Sequence, residues 1–300
     1  MGIIIDYTEH NFNKIKDISR EICKEFDNAR YIAVGKSVVG RDIGAIVIGD
    51  SREYVLYAGG IHGSERLTVL LLLKFALELC RSLRDGTPIS DVKASSLLWD
   101  KGLIIVPLAN PDGYEIAQNG YSSGGVFANK IKRLSNGDTT HWNANARGVD
   151  INHNFNSDWD KVRTAERAAG IFGPGAGKYG GERPESEPET QALVKLCEDF
   201  NIRHLFAFHS QGEVIFPPEA EKKIPRADRM AQIMAISSGY SIETPTGTAV
   251  GGGFKDWFVD EFRRPGFTIE IGKGHNPLPM ADLHDIYPKL REMLALGILL

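Results

Sequence analysis

Short apolar runs alternate along this chain with longer amphipathic ones. Residues 11–29 carry the 3.6-residue spacing of an amphipathic helix. Tyr31–Val34 and Asp42–Ile48 read as short strands, and Tyr54–Ala58 (YVLYA) as a β-rich strand that runs into Gly59-Gly60. A long apolar helix is predicted from Glu65 to Arg84, ended by Asp85-Gly86. Leu103–Leu108 (LIIVPL) is a continuous apolar run of the kind buried parallel strands use. Ser186-Glu187-Pro188-Glu189 reads as a capping box, with Ser186 as N-cap and a helix reaching about Phe200. His204–Phe208 and Gly266–Ile271 follow as strands, with final helices near Asp228–Ser238, Gly253–Glu261 and Ala281–Leu296. Alternating strands and helices predict an α/β fold, with a mostly parallel or mixed sheet covered on both faces. The expectation is one domain over residues 1–300: an N-terminal helix and first strands (1–50), a core (51–275) and a C-terminal helix (276–300). In such sheets ligands bind beyond the carboxyl ends of the strands.

Composition narrows the function classes. Lys+Arg 35 against Asp+Glu 39 gives a net charge of −4, which marks no nucleic-acid binder. The longest apolar stretch, Leu67–Leu73, is far too short to span a bilayer, so no membrane partner is expected. The amino terminus reaches Asp6 after three isoleucines, without the basic start and longer apolar run of a secretory signal. Cys23, Cys80 and Cys197 lie far apart in helical segments and read as free core thiols. Both features predict the reducing cytoplasm.

Several polar residues fall where that sheet would bind a ligand. His62-Gly63-Ser64-Glu65 follows a strand and opens a helix, and its spacing of three puts both side chains on one side of the first turn. One imidazole and one carboxylate are two-thirds of a His₂Glu zinc site. The same four residues also fit a helix-cap histidine with a glutamate that favours the helix dipole. His209 ends the HLFAF strand and would face the same surface. Glu270 lies inside the apolar strand FTIEI, where an unpaired carboxylate is costly to bury and so needs a cation or strong hydrogen bonds.

Six segments in order, GGIHGSE (59–65), NPDGY (110–114), ARGVDIN (146–152), FHSQ (208–211), GGGFKDW (251–257) and FTIEI (267–271), give the chain its resemblance to the zinc carboxypeptidase family. The resemblance implies a mixed sheet of about eight strands with helices on both sides. It implies one zinc per chain held by His62, Glu65 and His209, with Asp150 as the carboxylate that orients a ligand histidine. By the same resemblance Arg147 polarises the scissile carbonyl and steadies the oxyanion, and Asn152 binds a substrate carboxylate. Glu270 matches the general base, which takes a proton from the attacking water and passes it to the leaving amine.

Two departures redirect the expected specificity. The pair that reads a free C-terminus in carboxypeptidases is Asn-Arg; here it is Asn152-His153, without the bidentate fork. The tyrosine expected before the Gly-Gly is missing, and Thr248 stands nearby. With GGERPESEPET (180–190) and GFTIEIGKGHNPLP (266–279), these departures resemble the bacterial branch that cuts γ-D-glutamyl–diamino acid bonds in peptidoglycan stem peptides. The substrate expected is therefore a peptide or muropeptide, trimmed in the cytoplasm. Lys255 occupies the position that sets side-chain preference in the family, where it could pair with an acidic substrate group or simply be a solvated helix lysine. An ordinary metallocarboxypeptidase of altered specificity and a zinc amide deacylase like aspartoacylase are the alternatives; NPDGY and GVDIN favour a peptidase. His10, His141, His204 and His284 read as surface or packing residues, and His275 as a candidate for the cleft.

Overall fold

The computed structural model describes residues 3–5, 11–247 and 250–300, so His10 and Thr248 lie outside the described residues. Its strands are β1 (Ala29–Lys36), β2 (Asp42–Ile48), β3 (Tyr54–Ala58), β4 (Pro88–Ile89), β5 (Val92–Lys93), β6 (Gly102–Val106), β7 (Ile202–His209), β8 (Val214–Phe216), β9 (Ser241–Ile242) and β10 (Gly266–Glu270). β4 and β5 form a small ribbon, and the rest form one eight-stranded sheet in the order β1-β2-β6-β3-β7-β10-β8-β9. The sheet is mixed: β6, β3, β7 and β10 run parallel as its centre, while β2 and β8 flank that centre antiparallel. This is the expected α/β architecture of eight mixed strands.

Burial on both faces explains why the central strands are apolar without alternation. On one face Val55, Tyr57, Leu103, Ile105, Phe206 and Phe208 pack under α1 (Phe12–Glu25), α2 (Arg66–Asp85), α8 (Ala227–Ser238) and α10 (Leu283–Leu299). On the other, Leu56, Ala58, Ile104, Val106, Leu205 and Ala207 pack under α7 (Pro188–Asp199) and α9 (Phe254–Phe262). Shorter helices α3 (Ala94–Leu97), α4 (Pro111–Asn119), α5 (Ala128–Leu134) and α6 (Trp159–Ala168) fill the connections. The three cysteines are unpaired. Burial pushes the Cys23 and Cys80 thiols up to about 12, so they act as apolar filler. Among the described residues no helix is long and apolar enough to cross a membrane.

Two local expectations are corrected. The predicted capping box is absent: α7 begins at Pro188 with Glu187 as N-cap and no side-chain cap. Ser186 Oγ instead donates to Glu187, and Glu189 is drawn into the protein, accepting from Val38 N at 3.0 Å and Asn145 Nδ2 at 3.1 Å. A buried tertiary network has taken both box residues. The other correction concerns the His62–Glu65 turn.

Candidate active site

Three adjacent parallel strands, β3, β7 and β10, deliver the candidate residues at their carboxyl ends. β7 ends on His209 and β10 on Glu270, and the parallel register pairs these two residues directly. After β3 the chain turns through Gly59-Gly60, and α2 begins only at Arg66. His62 and Glu65 therefore occupy a tight turn ahead of the helix, closed by Glu65 N donating to His62 O at 3.2 Å, and not the first helical turn that their spacing predicted. At Gly60 the backbone takes a positive φ of 57° to make the turn, which suits glycine.

The NPDGY segment supports this turn from below. A Cβ on Gly63 would come within 2.2 Å of Gly113 O, so the two segments meet this closely only through glycine. Asn110 Nδ2 donates to Ile61 O and Asn143 O, both at 3.1 Å. Asp112 is fully buried and takes Arg41 at 2.6 Å and the Ser37 hydroxyl at 2.7 Å. The motif is thus scaffold for the ligand turn.

Three potential metal-ligating groups converge on one point. His62 Nδ1 stands 2.8 Å from Glu65 Oε1, His209 Nδ1 stands 3.1 Å from Glu65 Oε2, and the two imidazole nitrogens are 3.2 Å apart. Among the described residues this is the cluster with metal-binding composition. Bonds of ~2.0–2.2 Å to a tetrahedral zinc would space ligand atoms roughly 3.3–3.6 Å apart, so the trio needs only a few tenths of an ångström of relaxation. Two histidines and one carboxylate match a catalytic zinc set with a fourth position open. The residues fit the metal.

The electrostatics point the same way. Burial alone would depress His62, yet Glu65 and Asp150 outweigh it and hold the imidazole well above its ordinary pKa. Asp150 Oδ1 lies 3.0 Å from His62 Nε2, while its Oδ2 accepts from Lys178 N at 2.7 Å. Burial would raise Asp150, but the charge of His62, with hydrogen bonds from His62 and Lys178 N, keeps it well below the usual carboxylate range. An ionised Asp150 can only accept, so it fixes the proton on Nε2 and turns Nδ1 towards the ligand cluster. Glu270 is pushed up to about 8, first by burial and then by the charge of Glu65, with His62 pulling the other way. A carboxyl that exchanges its proton near neutrality suits a general base.

A cleft of about 140 Å³ brings together His62, His209, Glu270, Asn152, His153 and Lys255. Asn152 Oδ1 accepts from Phe254 N at 3.0 Å, so its amide nitrogen is what it can offer a ligand. His153 is only 9% exposed, with Nδ1 2.9 Å from Glu166 Oε1. Lys255 is 4% exposed, which overturns the reading as a solvated helix lysine. Arg147 does not join this group. A turn over Asn145–Gly148, with Gly148 N bonded to Asn145 O, carries it to a separate pocket with Phe127, Lys130 and Tyr179. There its guanidinium lies 3.4 Å from Glu187 Oε2 and is 45% exposed. The expected contact with the oxyanion is corrected by this placement. His275 is exposed and outside the cleft, and His204 is fully buried against Gly297 O. Sequence reasoning missed Glu166, which sits thirteen residues after His153 in α6 with no motif to flag it. It also gave no role to Asp256, although the quoted GGGFKDW contains it.

Known proteins resemble this chain in sequence and in fold. The gamma-D-glutamyl-L-diamino acid endopeptidase 1 of Lysinibacillus sphaericus is 33% identical over 270 residues, covering 89% of this chain and 65% of that relative. The chain thus spans just under two thirds of that relative's length. Bovine thrombin-activatable fibrinolysis inhibitor, solved with tick carboxypeptidase inhibitor, superposes with a TM-score of 0.76 at 18% identity over 97% of both chains. Murein-tripeptide amidase MpaA from Escherichia coli O157 does so with 0.55 at 22% identity, over 88% of this chain and 91% of that one. At such identities the two structures establish a common fold. With its family model matching residues 17–295, the chain belongs to the zinc carboxypeptidase family.

Proposed function

We propose that this protein is a zinc-dependent peptidase that hydrolyses the γ-D-glutamyl–diamino acid amide of a peptidoglycan stem peptide. The observation that carries the reading is His153. Where carboxypeptidases place an arginine fork for a free C-terminus, this cleft has a buried imidazole already engaged by Glu166. The name of the Lysinibacillus relative supports the same substrate class. Zinc bound by His62, Glu65 and His209 supplies a Lewis acid, able to polarise a carbonyl and lower the pKa of water from ~16 towards ~7. Glu270 takes the proton of the attacking water and delivers it to the leaving nitrogen. Asp150 holds His62 in the ligating tautomer. Lys255 and Asn152 receive acidic groups of the substrate. Arg147 carries no step. We place the activity in the cytoplasm, in keeping with three unpaired cysteines.

The test is a panel of muropeptides and blocked C-terminal dipeptides incubated with zinc-loaded protein, with products identified by mass. L-Ala-γ-D-Glu-meso-diaminopimelate should yield free diaminopimelate. A preference for the dipeptides would favour an ordinary metallocarboxypeptidase, for which Lys255 could receive the terminal carboxylate.

A further inference from the structure

Behind the cleft lies a polar cluster that the proposed reaction leaves unused. Glu166, in α6, is fully inaccessible to solvent. Its Oε2 accepts from Gly180 N at 3.2 Å and is in ion contact with Arg163. Its Oε1 stands 2.9 Å from His153 Nδ1. A carboxylate paired with a guanidinium and accepting an N–H has no proton to give, so the proton in the His153–Glu166 bond belongs to Nδ1. In the neutral imidazole, Nε2 then keeps its lone pair. Nε2 has no protein partner among the described residues, and His153 lines the cleft. Burial also keeps His153 below its ordinary pKa, with the charge of Asp150 opposing.

Elsewhere in the same cleft, Lys255 Nζ touches Asp256 Oδ1 at 2.5 Å, but not in hydrogen-bond geometry. Asp256 balances the charge of this buried ammonium, but its N–H groups are left without an acceptor and can serve one on a ligand. A lone pair on His153 Nε2 calls for an N–H. One small fragment carries both an anion and N–H groups on a single carbon: the α-amino-acid head group. The side chain of meso-diaminopimelate ends in such a zwitterion, whereas that of lysine ends in an ammonium alone.

We propose that Glu166 is a positioning residue: by holding the Nδ1 proton of His153 it makes Nε2 the acceptor for the side-chain ammonium of the diamino acid, while Lys255 takes the neighbouring carboxylate. The choice of diamino acid rests on the γ-D-glutamyl reading; the tautomer does not.

Two experiments on zinc-loaded protein test this. Nitrogen-15 spectra of the imidazoles should show His153 protonated at Nδ1 and bare at Nε2. In calorimetric titrations, free meso-diaminopimelate should bind about tenfold more tightly than L-2-aminopimelate, which keeps both carboxylates and lacks the distal amine, as befits one charge-assisted hydrogen bond. Glu166→Gln and His153→Leu should bring the two ligands within about twofold. In hydrolysis of the corresponding tripeptides the difference should appear in KM more than in kcat. The His153→Leu comparison stands even where Glu166→Gln fails to fold. A proton on Nε2 in the wild type, equal binding of the two ligands, or an undiminished preference in His153→Leu would each overturn the proposal. Preference for meso-diaminopimelate without cleavage of any γ-D-glutamyl tripeptide would sink the proposed function and leave this inference standing; cleavage without preference would do the reverse.

Discussion

His209 and Glu270 are direct partners in the parallel register of β7 and β10. One ends its strand as a candidate metal ligand, the other as the half-buried carboxyl beside it. Side chains alternate faces along a strand, so a slip of one residue in either strand would send one of the pair to the opposite face. The apolar runs ahead of them, buried on both sides, hold that register. Packing of the sheet thus fixes how Glu270 stands to the candidate metal ligand His209.

This separation of roles predicts the behaviour of Glu270→Gln. The amide keeps the shape but cannot accept a proton, so turnover should fall by at least ~10²-fold. Zinc content, measured by elemental analysis, should match the wild type. Parallel loss of metal and activity would mean that Glu270 is a ligand.

Asp150→Ala should act on the metal first. Removing the carboxylate that orients a ligand histidine typically weakens metal binding ~10–100-fold. Competition with a chelating dye measures this. Unchanged affinity would show that the 3.0 Å contact with His62 Nε2 does nothing for the site.

Arg147→Ala should leave kcat/KM within about threefold of the wild type, because its side chain meets Glu187 in another pocket. A group facing the oxyanion would instead cost roughly 10²–10³ in rate. Steady-state kinetics on the preferred stem peptide decides between the two.

Glu189 gives a pH prediction whose sign can be worked through. Burial, with the charge of Asp112 adding, pushes its pKa up to about 7, against hydrogen bonds from Val38 N and Asn145. An unfolded glutamate titrates near ~4.3. Between these values the folded protein holds a proton that the unfolded chain has lost, so this residue's contribution is greatest below the unfolded pKa and declines as pH rises to about 7. The decline is at most about 3–4 kcal/mol. Urea unfolding at several pH values should show it in the wild type and show less of it in Glu189→Gln. The same pH dependence in both would contradict it.

Much of this site was legible in the sequence, and the rest was not for physical reasons. The strand YVLYA announces itself because burial on both faces demands an unbroken apolar run. His62, Glu65, His209 and Glu270 stand out because polar groups at the ends of such strands are costly without a purpose. Ser186 and Glu189 matched a local capping rule, but Val38 and Asn145, distant in sequence, claim Glu189. Arg147 lies three residues before Asp150, yet beside the turn over Asn145–Gly148 its side chain lines another pocket. Glu166 has no local signature at all; its meaning lies in its contact with His153.

The most direct test of the account is a zinc titration of metal-stripped protein, following release of diaminopimelate from L-Ala-γ-D-Glu-meso-diaminopimelate. Activity should rise in proportion to added zinc and level off at about one equivalent per chain, the capacity of a single His₂Glu site. The stripped protein, and His209→Ala at the same zinc concentrations, should remain inactive. Full activity in the stripped protein, or the same activity in His209→Ala, would contradict the account.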